Sequence, residues 1–196
     1  MREAAFGNLQ KARQAAALVL SQTTLGPNAE ATGALTFGWA DDTAHAESLL
    51  DGLTKRFPQD TLVQSVVLPT VQAQIELVRK NPARSIELLQ TSAPYELGQA
   101  FNGCIYPAYV RGEAYLAAKQ GFAAGAEFQK ILDHRGIVGL CETGALAHLG
   151  LARAYVLQGG TVKARTAYQD FLTLWKDADP DIPILKQAKA EYAKLQ

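Results

Sequence analysis

The chain has 196 residues, 48% of them hydrophobic, and its 19 Lys and Arg residues are balanced by 19 Asp and Glu residues. A net charge of zero without a basic block gives no electrostatic basis for binding nucleic acid or an anionic membrane surface. The longest apolar run, residues 15–20, is far shorter than the roughly 20 residues that cross a bilayer, and no signal peptide is recognisable. We therefore expect no membrane insertion within this segment and favour a cytoplasmic location.

Residue patterning in the first half predicts helices separated by Gly, Pro and Asp turns. Residues 1–6 resemble the end of a helix whose beginning is missing, and Gly7 and Asn8 form the turn that follows. The helices predicted next span residues 9–21, 29–40, 44–57, 61–79 and 82–93. Pro69 lies inside the fourth of these and predicts a kink there, because proline removes a helix hydrogen bond.

The second half continues the same plan with two longer links, over residues 95–102 and 135–143. The first link leads into a helix that contains Pro107 and reaches Lys119. Further helices are predicted over residues 122–134, 145–158, 161–176 and 182–195. The last has an apolar stripe that we expect to face inward and a Lys-rich remainder that we expect to face water.

Small residues recur at a nearly constant spacing, which predicts a two-helix repeat. Early in the second helix of each pair, at intervals of 34, 39, 39 and 40 residues, stand Ala12, Ala46, Ser85, Ala124 and Ala164. Twelve positions before these, in the first helices, stand Ala34, Ala73, Gly112 and Ala152. Small residues allow helix axes to approach closely, and larger neighbours such as Tyr115 and Phe128 fill the space beside them.

At these positions the sequence resembles the tetratricopeptide repeat. That family places small residues, aromatic residues and a turn glycine at fixed intervals. The unit around residues 143–176 matches with Ala152, Tyr155, Gly159, Ala164 and Tyr168. The unit around 61–94 lacks the aromatic residues, and Lys119 in the next unit replaces the turn glycine.

The resemblance implies an all-α, right-handed solenoid of helix-turn-helix repeats with about ten helices. Its parts would be a half-repeat at 1–25, repeats at about 28–58, 61–94, 102–134 and 143–176, and a capping helix at 181–195. It also implies a scaffold that binds a peptide or a helix in a concave groove. The groove-facing residues it points to are Thr70, Gln74, Tyr106, Tyr109, Glu113 and Arg153. Related repeats that grip a terminal carboxylate use Lys and Asn at such positions, so the chain lacks that clamp.

Four segments, at residues 55–64, 93–98, 128–138 and 174–192, are similar to the C-terminal repeat region of acidobacterial-type serine/threonine kinases. This resemblance implies a recognition or regulatory arm of a larger bacterial signalling protein. The chain contains no glycine-rich phosphate loop and no kinase catalytic motif, so we expect no enzyme activity and no cofactor in this segment. The alternative is a free-standing scaffold whose role is oligomerisation in another assembly.

The sequence suggests three other interpretations, which are a zinc site, a hydrolase site and a self-association surface. Zinc binding would use Cys104, His134, Cys141 and His148, whose spacings do not form a typical zinc motif. A hydrolase would use Cys141 with Glu142 and His148, which match no known arrangement. Two cysteines so far apart do not suggest a disulfide framework.

Self-association is predicted through Leu9, Val19 and Leu20, because an uncapped repeat end exposes apolar surface.

Overall fold

The computed structural model describes residues 1–21, 25–98 and 100–196, and within these ranges the protein is helical and contains no strand. The α-helices are α1 (Arg2–Ala5), α2 (Leu9–Leu20), α3 (Pro27–Trp39), α4 (Thr43–Arg56), α5 (Leu68–Val78), α6 (Pro82–Leu88), α7 (Tyr106–Ala117), α8 (Gly121–Asp133), α9 (Arg135–Val138), α10 (Glu142–Leu157), α11 (Thr161–Leu174) and α12 (Pro183–Ala193). Residues 22–24 of the predicted half-repeat and residue 99 of the predicted first link lie outside the described residues. The all-helical prediction is confirmed.

The longer helices are arranged in two layers. In one layer α3 packs on α5, α5 on α7 and α7 on α10. Each of these helices also packs on the helix that follows it, giving the pairs α3–α4, α5–α6, α7–α8 and α10–α11. The second helix of a pair packs on the first helix of the next pair, as α8 does on α10. Each described pair therefore buries its apolar faces against its chain neighbours.

The residues predicted to lie at close helix contacts are buried. Ala34, Ala46, Ala73, Ser85, Ala124, Ala152 and Ala164 are each 0% exposed. The ring of Phe128 on α8 lies against Gly112 of α7 and Gly150 of α10. A Cβ atom at Gly112 would stand 2.8 Å from this ring, and one at Gly150 would stand 2.5 Å from it. These three helices can approach as they do only because neither glycine carries a side chain.

Helix α6 ends five residues before the predicted end at residue 93. The carbonyl oxygen of Leu89 accepts hydrogen bonds from Ser92 Oγ at 2.8 Å and from Arg111 Nη1 at 3.1 Å. Arg111 is buried and also donates to Glu96 at 2.7 Å and to Glu127 at 2.6 Å. The chain leaves the helix here because the nearby Ser92 and the distant Arg111 bind the Leu89 carbonyl and stabilise the following turn.

Two further differences concern local helix geometry. A π-helical segment at Val63–Val67 interrupts the predicted helix and ends two residues before Pro69, which cannot donate a backbone hydrogen bond. The predicted loop at residues 135–143 contains the short helix α9, whose Val138 is buried. Gly139 ends α9 with φ of +55°, a value that favours glycine. In the part of the chain described, no helix is both long and apolar enough to span a bilayer.

The contact at Phe128 predicts a specific sensitivity. Gly150→Ala should lower the free energy of unfolding by about 1–3 kcal/mol, because the new methyl group overlaps the Phe128 ring. Gly52→Ala is the matched control, since its Cβ would meet no atom within 4 Å inside α4. The control should raise stability by about 0.5–1 kcal/mol through helix propensity. Urea denaturation measures both, and equal stabilities of the two variants would contradict this packing account.

Candidate functional site

The six residues predicted to line a groove lie on α5, α7 and α10, and three of them are buried inside the protein. Thr70 and Tyr106 are 0% and 3% exposed, and Gln74 is 9% exposed. Tyr109, Glu113 and Arg153 are partly buried. Arg153 lies near Glu113 and Tyr109, whereas the Thr70 hydroxyl donates to Val66 O in its own helix. That these six residues bind a partner stays a prediction, and their contacts are with the chain itself.

Trp39, which the sequence analysis did not single out, joins three of the six. Its indole Nε1 donates to Gln74 Oε1 at 2.8 Å. Its ring packs edge-on against Tyr106 and Tyr109, with centroids 5.5 and 5.6 Å apart. Trp39 stands at the end of a predicted helix and outside the small-residue register. The one signal in the sequence that could have identified it is its residue type, because a large aromatic side chain with a single hydrogen-bond donor usually has a specific partner when buried.

Helix α12 covers Arg153. The guanidinium donates to Glu191 at 2.9 and 3.1 Å, and the Tyr168 hydroxyl donates to the same carboxylate at 2.9 Å. Burial by itself would raise the pKa of Glu191, but the hydrogen bonds from Arg153 and Tyr168 outweigh it and lower that pKa. Glu191 lies on the face of α12 that the sequence analysis assigned to water, so this assignment is wrong for that residue.

Helix α1 lies between the first helices of the chain and the last ones rather than at an open edge. Ala4 packs with Ala12 and Ala40, next to Trp39. Ala5 packs on the cluster around Leu146 and Leu149. The Phe6 ring meets Trp175 edge-on at 4.7 Å, and Phe6 O accepts a hydrogen bond from Ile184 N at 3.1 Å. The interior surface formed by α3, α10 and α12 is therefore occupied by residues 1–6.

An open groove lies beside the link between α8 and α10. It has a volume of about 680 Å³ and a neighbouring pocket of about 340 Å³. Both are lined by Leu140, Cys141, Ala145, Leu174 and Trp175, which we call the Leu140 groove. Leu140 is 92% exposed and Leu174 is 60% exposed. Two large apolar side chains that are mostly exposed therefore line one groove.

Polar side chains also line the groove, namely Arg135, His148, Asp170 and Thr173 in the larger pocket and Arg2 and Glu142 in the smaller one. His148 lies on its wall with Nδ1 4.0 Å from Asp170 Oδ2, and burial lowers the pKa of His148, so its ring is neutral at pH 7. At the other end Arg2 and Glu142 line the neighbouring pocket. Glu142 accepts a hydrogen bond from the Tyr106 hydroxyl at 2.6 Å. The groove therefore combines apolar surface with charged side chains, and the carboxylate of Glu142 at its edge is buried.

Cys104 and Cys141 form a disulfide, which corrects the interpretation that two cysteines so far apart do not suggest a disulfide framework. Their Cα atoms are 5.6 Å apart although 37 positions separate them in sequence. The bond joins the segment before α7 to the start of α10, and Thr143 Oγ1 donates to Cys104 O at 2.8 Å beside it. Both alternatives that needed a thiol are wrong for this state, because the zinc site and the Cys141 nucleophile each require a free sulfur.

The predicted self-association surface is only partly exposed. Leu9 packs beside Ala4 and Ala12, and Leu20 packs against Gly33 of α3. Val19 is 47% exposed, and its neighbour Leu18 is 70% exposed. Self-association through this end stays a prediction, with the exposed surface at Leu18 and Val19.

When the chain was compared with protein-family models, with curated proteins and with solved structures, none of them matched it.

Burial of Glu113 predicts a pH-dependent stability. Burial raises the pKa of this carboxyl above its ordinary value near 4.5, against the opposing effect of nearby Arg153, and one of its buried oxygens has no hydrogen-bond partner among the described residues. Because the pKa of Glu113 is higher in the folded state than in the unfolded state, its contribution to stability is most favourable below the unfolded-state pKa. That contribution is lost as the pH rises through the folded-state pKa. Glu113→Gln should therefore stabilise the protein by about 1 kcal/mol at pH 7 and have little effect at pH 4.

Urea denaturation at the two pH values tests this expectation. Glu87→Gln is the matched control: its side chain is 68% exposed and pairs with Arg84 at the surface, so the substitution should change the free energy of unfolding by no more than about 0.5 kcal/mol. A Glu113→Gln effect of equal size at both pH values would contradict the account.

The disulfide predicts a redox-dependent stability. Reduction should lower the free energy of unfolding by about 2–4 kcal/mol, because the unfolded chain loses a covalent loop of this length. Urea denaturation with and without a phosphine reductant measures the change, and the double variant Cys104→Ala/Cys141→Ala should not respond to the reductant. Thiol labelling of the unfolded protein before reduction would contradict the bond.

Proposed function

We propose that the chain is a non-catalytic protein-interaction module, built as a tetratricopeptide-like repeat array, that binds a partner protein at the Leu140 groove. The registered small residues and the two-layer packing of helix pairs support the array. The observation that carries the binding proposal is that Leu140 and Leu174, both largely exposed, line one groove of about 680 Å³. Burying each leucine in a partner contact would contribute roughly 1.5–3 kcal/mol.

This proposal moves the binding surface away from the inner face. A partner could reach Gln74 or Tyr106 only by displacing the chain's own side chains, because these residues contact Trp39 and Glu142. The Leu140 groove needs no such rearrangement. It lies on a short link between rigid helices, a placement common for binding residues.

We also propose that the module is the recognition or regulatory arm of a larger bacterial signalling protein such as a serine/threonine kinase. The four segments similar to that kinase region support this proposal. The disulfide supports a place in an oxidising compartment, since disulfides persist there and are rare in the cytosol. In a parent kinase the arm would then lie across the membrane from the ATP-using domain, which replaces the expectation of a cytoplasmic location.

Substitution in the groove tests the binding proposal. A partner captured from cell-envelope extract by the wild-type protein should be retained at least about tenfold less by Leu140→Ser or Leu174→Ser, the equivalent of about 1.4 kcal/mol. Val162→Ser is the matched control, because Val162 is 76% exposed and does not line the groove. Quantitative mass spectrometry of the captured proteins measures retention. Equal retention by all three variants, each shown to be folded, would contradict the proposal.

A further inference from the structure

The last two helix pairs carry large, exposed apolar side chains at equivalent positions. Phe122 is the second residue of α8 and is 80% exposed, and Val162 is the second residue of α11 and is 76% exposed. The second residues of α4 and α6 are Ala44 and Ala83, so the earlier pairs place only a methyl group at this position. The large apolar side chains are therefore specific to one end of the array.

Four apolar side chains lie close together at this end. Phe122 and Val162 line the same open pocket of about 490 Å³. Leu157 of α10 lies beside them, because a Cβ atom at Gly121, the neighbour of Phe122, would stand 2.9 Å from Leu157 Cβ. Val156 and Leu157, both exposed, line a second pocket of about 320 Å³. We call this surface the Phe122 edge, and its apolar members are Phe122, Val156, Leu157 and Val162.

The charge beside the Phe122 edge is positive. Residues 114–126 and 154–169, which contain all four apolar members, include Lys119, Lys163 and Arg165 and no Asp or Glu. Lys119 lines the smaller pocket and Lys163 lines the larger one. The ion pairs that lysines form within the described ranges involve neither of these two. The zero net charge is an average over the whole chain and does not describe this edge.

The other charged and aromatic groups at the two pockets leave this positive charge in place. Glu191 is the one carboxylate among the described residues that line them, and it accepts hydrogen bonds from Arg153 at 2.9 and 3.1 Å. The Lys163 ammonium lies 5.7 Å from the centre of the Tyr155 ring, which holds that cation at the pocket. Exposed apolar side chains and cations without a carboxylate partner therefore occur on one surface.

We propose that the Phe122 edge attaches the protein, peripherally and without a spanning helix, to an anionic lipid bilayer. Exposed Phe and Val side chains can enter the boundary between headgroups and acyl chains, and the neighbouring lysines complement a negatively charged lipid surface. A bilayer matches this geometry because the two most exposed side chains stand at the ends of separate helix pairs, where one extended surface can contact both. The attachment goes beyond the proposed function, since it uses no residue of the Leu140 groove.

Flotation of the protein with lipid vesicles tests the attachment. Vesicles of phosphatidylglycerol and phosphatidylcholine in equal parts should bind the protein at least about tenfold more strongly than vesicles of phosphatidylcholine alone, because lysines are attracted to the anionic surface. Raising the salt from about 0.15 M to about 1 M shortens the Debye length from about 8 Å to about 3 Å and should remove most of this difference. Lys119→Gln/Lys163→Gln should remove it at low salt. Equal binding to both kinds of vesicle, or no binding to either, would overturn the proposal.

Substitutions at single residues locate the contact. Phe122→Ser should weaken binding to the mixed vesicles about tenfold or more, because serine buries no comparable apolar surface. Leu18→Ser is the matched control, since Leu18 is 70% exposed on α2 and lies outside the Phe122 edge. On binding, Phe122→Trp should show a blue shift in fluorescence and quenching by bromine-labelled acyl chains, and Leu18→Trp should show neither. Equal binding by Phe122→Ser and the wild-type protein, or equal responses of the two tryptophan variants, would contradict the assigned contact.

Vesicle binding and partner capture are separate measurements when the extract is solubilised in detergent and contains no bilayer. Val162→Ser should weaken vesicle binding and retain the captured partner, whereas Leu140→Ser should lose the partner and retain vesicle binding. Failure of one measurement therefore leaves the other proposal standing. An acidic protein that is captured by the wild-type chain and lost by Phe122→Ser, without vesicle binding by either, would show a protein-binding surface and overturn the bilayer proposal.

Discussion

The contact of one aromatic ring with two glycines sets the packing of the central helices. Phe128 of α8 fills the space that side chains at Gly112 of α7 and Gly150 of α10 would otherwise take. Because the ring is 0% exposed and touches three helices, their relative positions cannot change without opening a cavity or a clash. The residues that contact other elements then follow from this arrangement. Tyr106 and Glu142, 36 positions apart, meet because α7 and α10 are held side by side.

The small-residue register identified Gly112 and its large neighbour Phe128, because close helix contacts demand small residues at regular spacing. It did not include Gly150, whose contact with the same ring comes from a third helix. The site was predicted poorly, because its contacts join residues whose proximity depends on the whole array. The Cys104–Cys141 bond spans 37 positions, and only the turn of the 135–143 link toward α7 brings the sulfurs together. Likewise, the Lys-rich pattern around Glu191 predicts exposure to solvent, because the sequence does not indicate that α12 covers Arg153.

The location of α1 changes what the inner face can do. An array of helix pairs with an empty interior would offer Gln74, Tyr106 and Arg153 to a partner. Here each of these side chains has its hydrogen-bond partner within the chain, and removing such a partner from a buried polar group costs about 1–3 kcal/mol. A ligand entering the interior must replace those bonds as well as form its own. Contact with the exposed leucines of the Leu140 groove would carry no comparable cost, which is why the proposed binding surface is placed there.

The disulfide and the segment it anchors are best understood together. Phe101, Asn102 and Ile105 all have positive φ, between 48° and 57°, which is unfavourable for residues other than glycine by about 1–3 kcal/mol each. Such a segment persists only when its surroundings fix it, and here the fixing contacts are the bond from Cys104 to Cys141, the Thr143 hydrogen bond to Cys104 O and the burial of Phe101 and Ile105. The same bond fixes the position of Cys141, which lines the groove together with its sequence neighbour Leu140. The disulfide therefore constrains both the entry into α7 and one wall of the Leu140 groove.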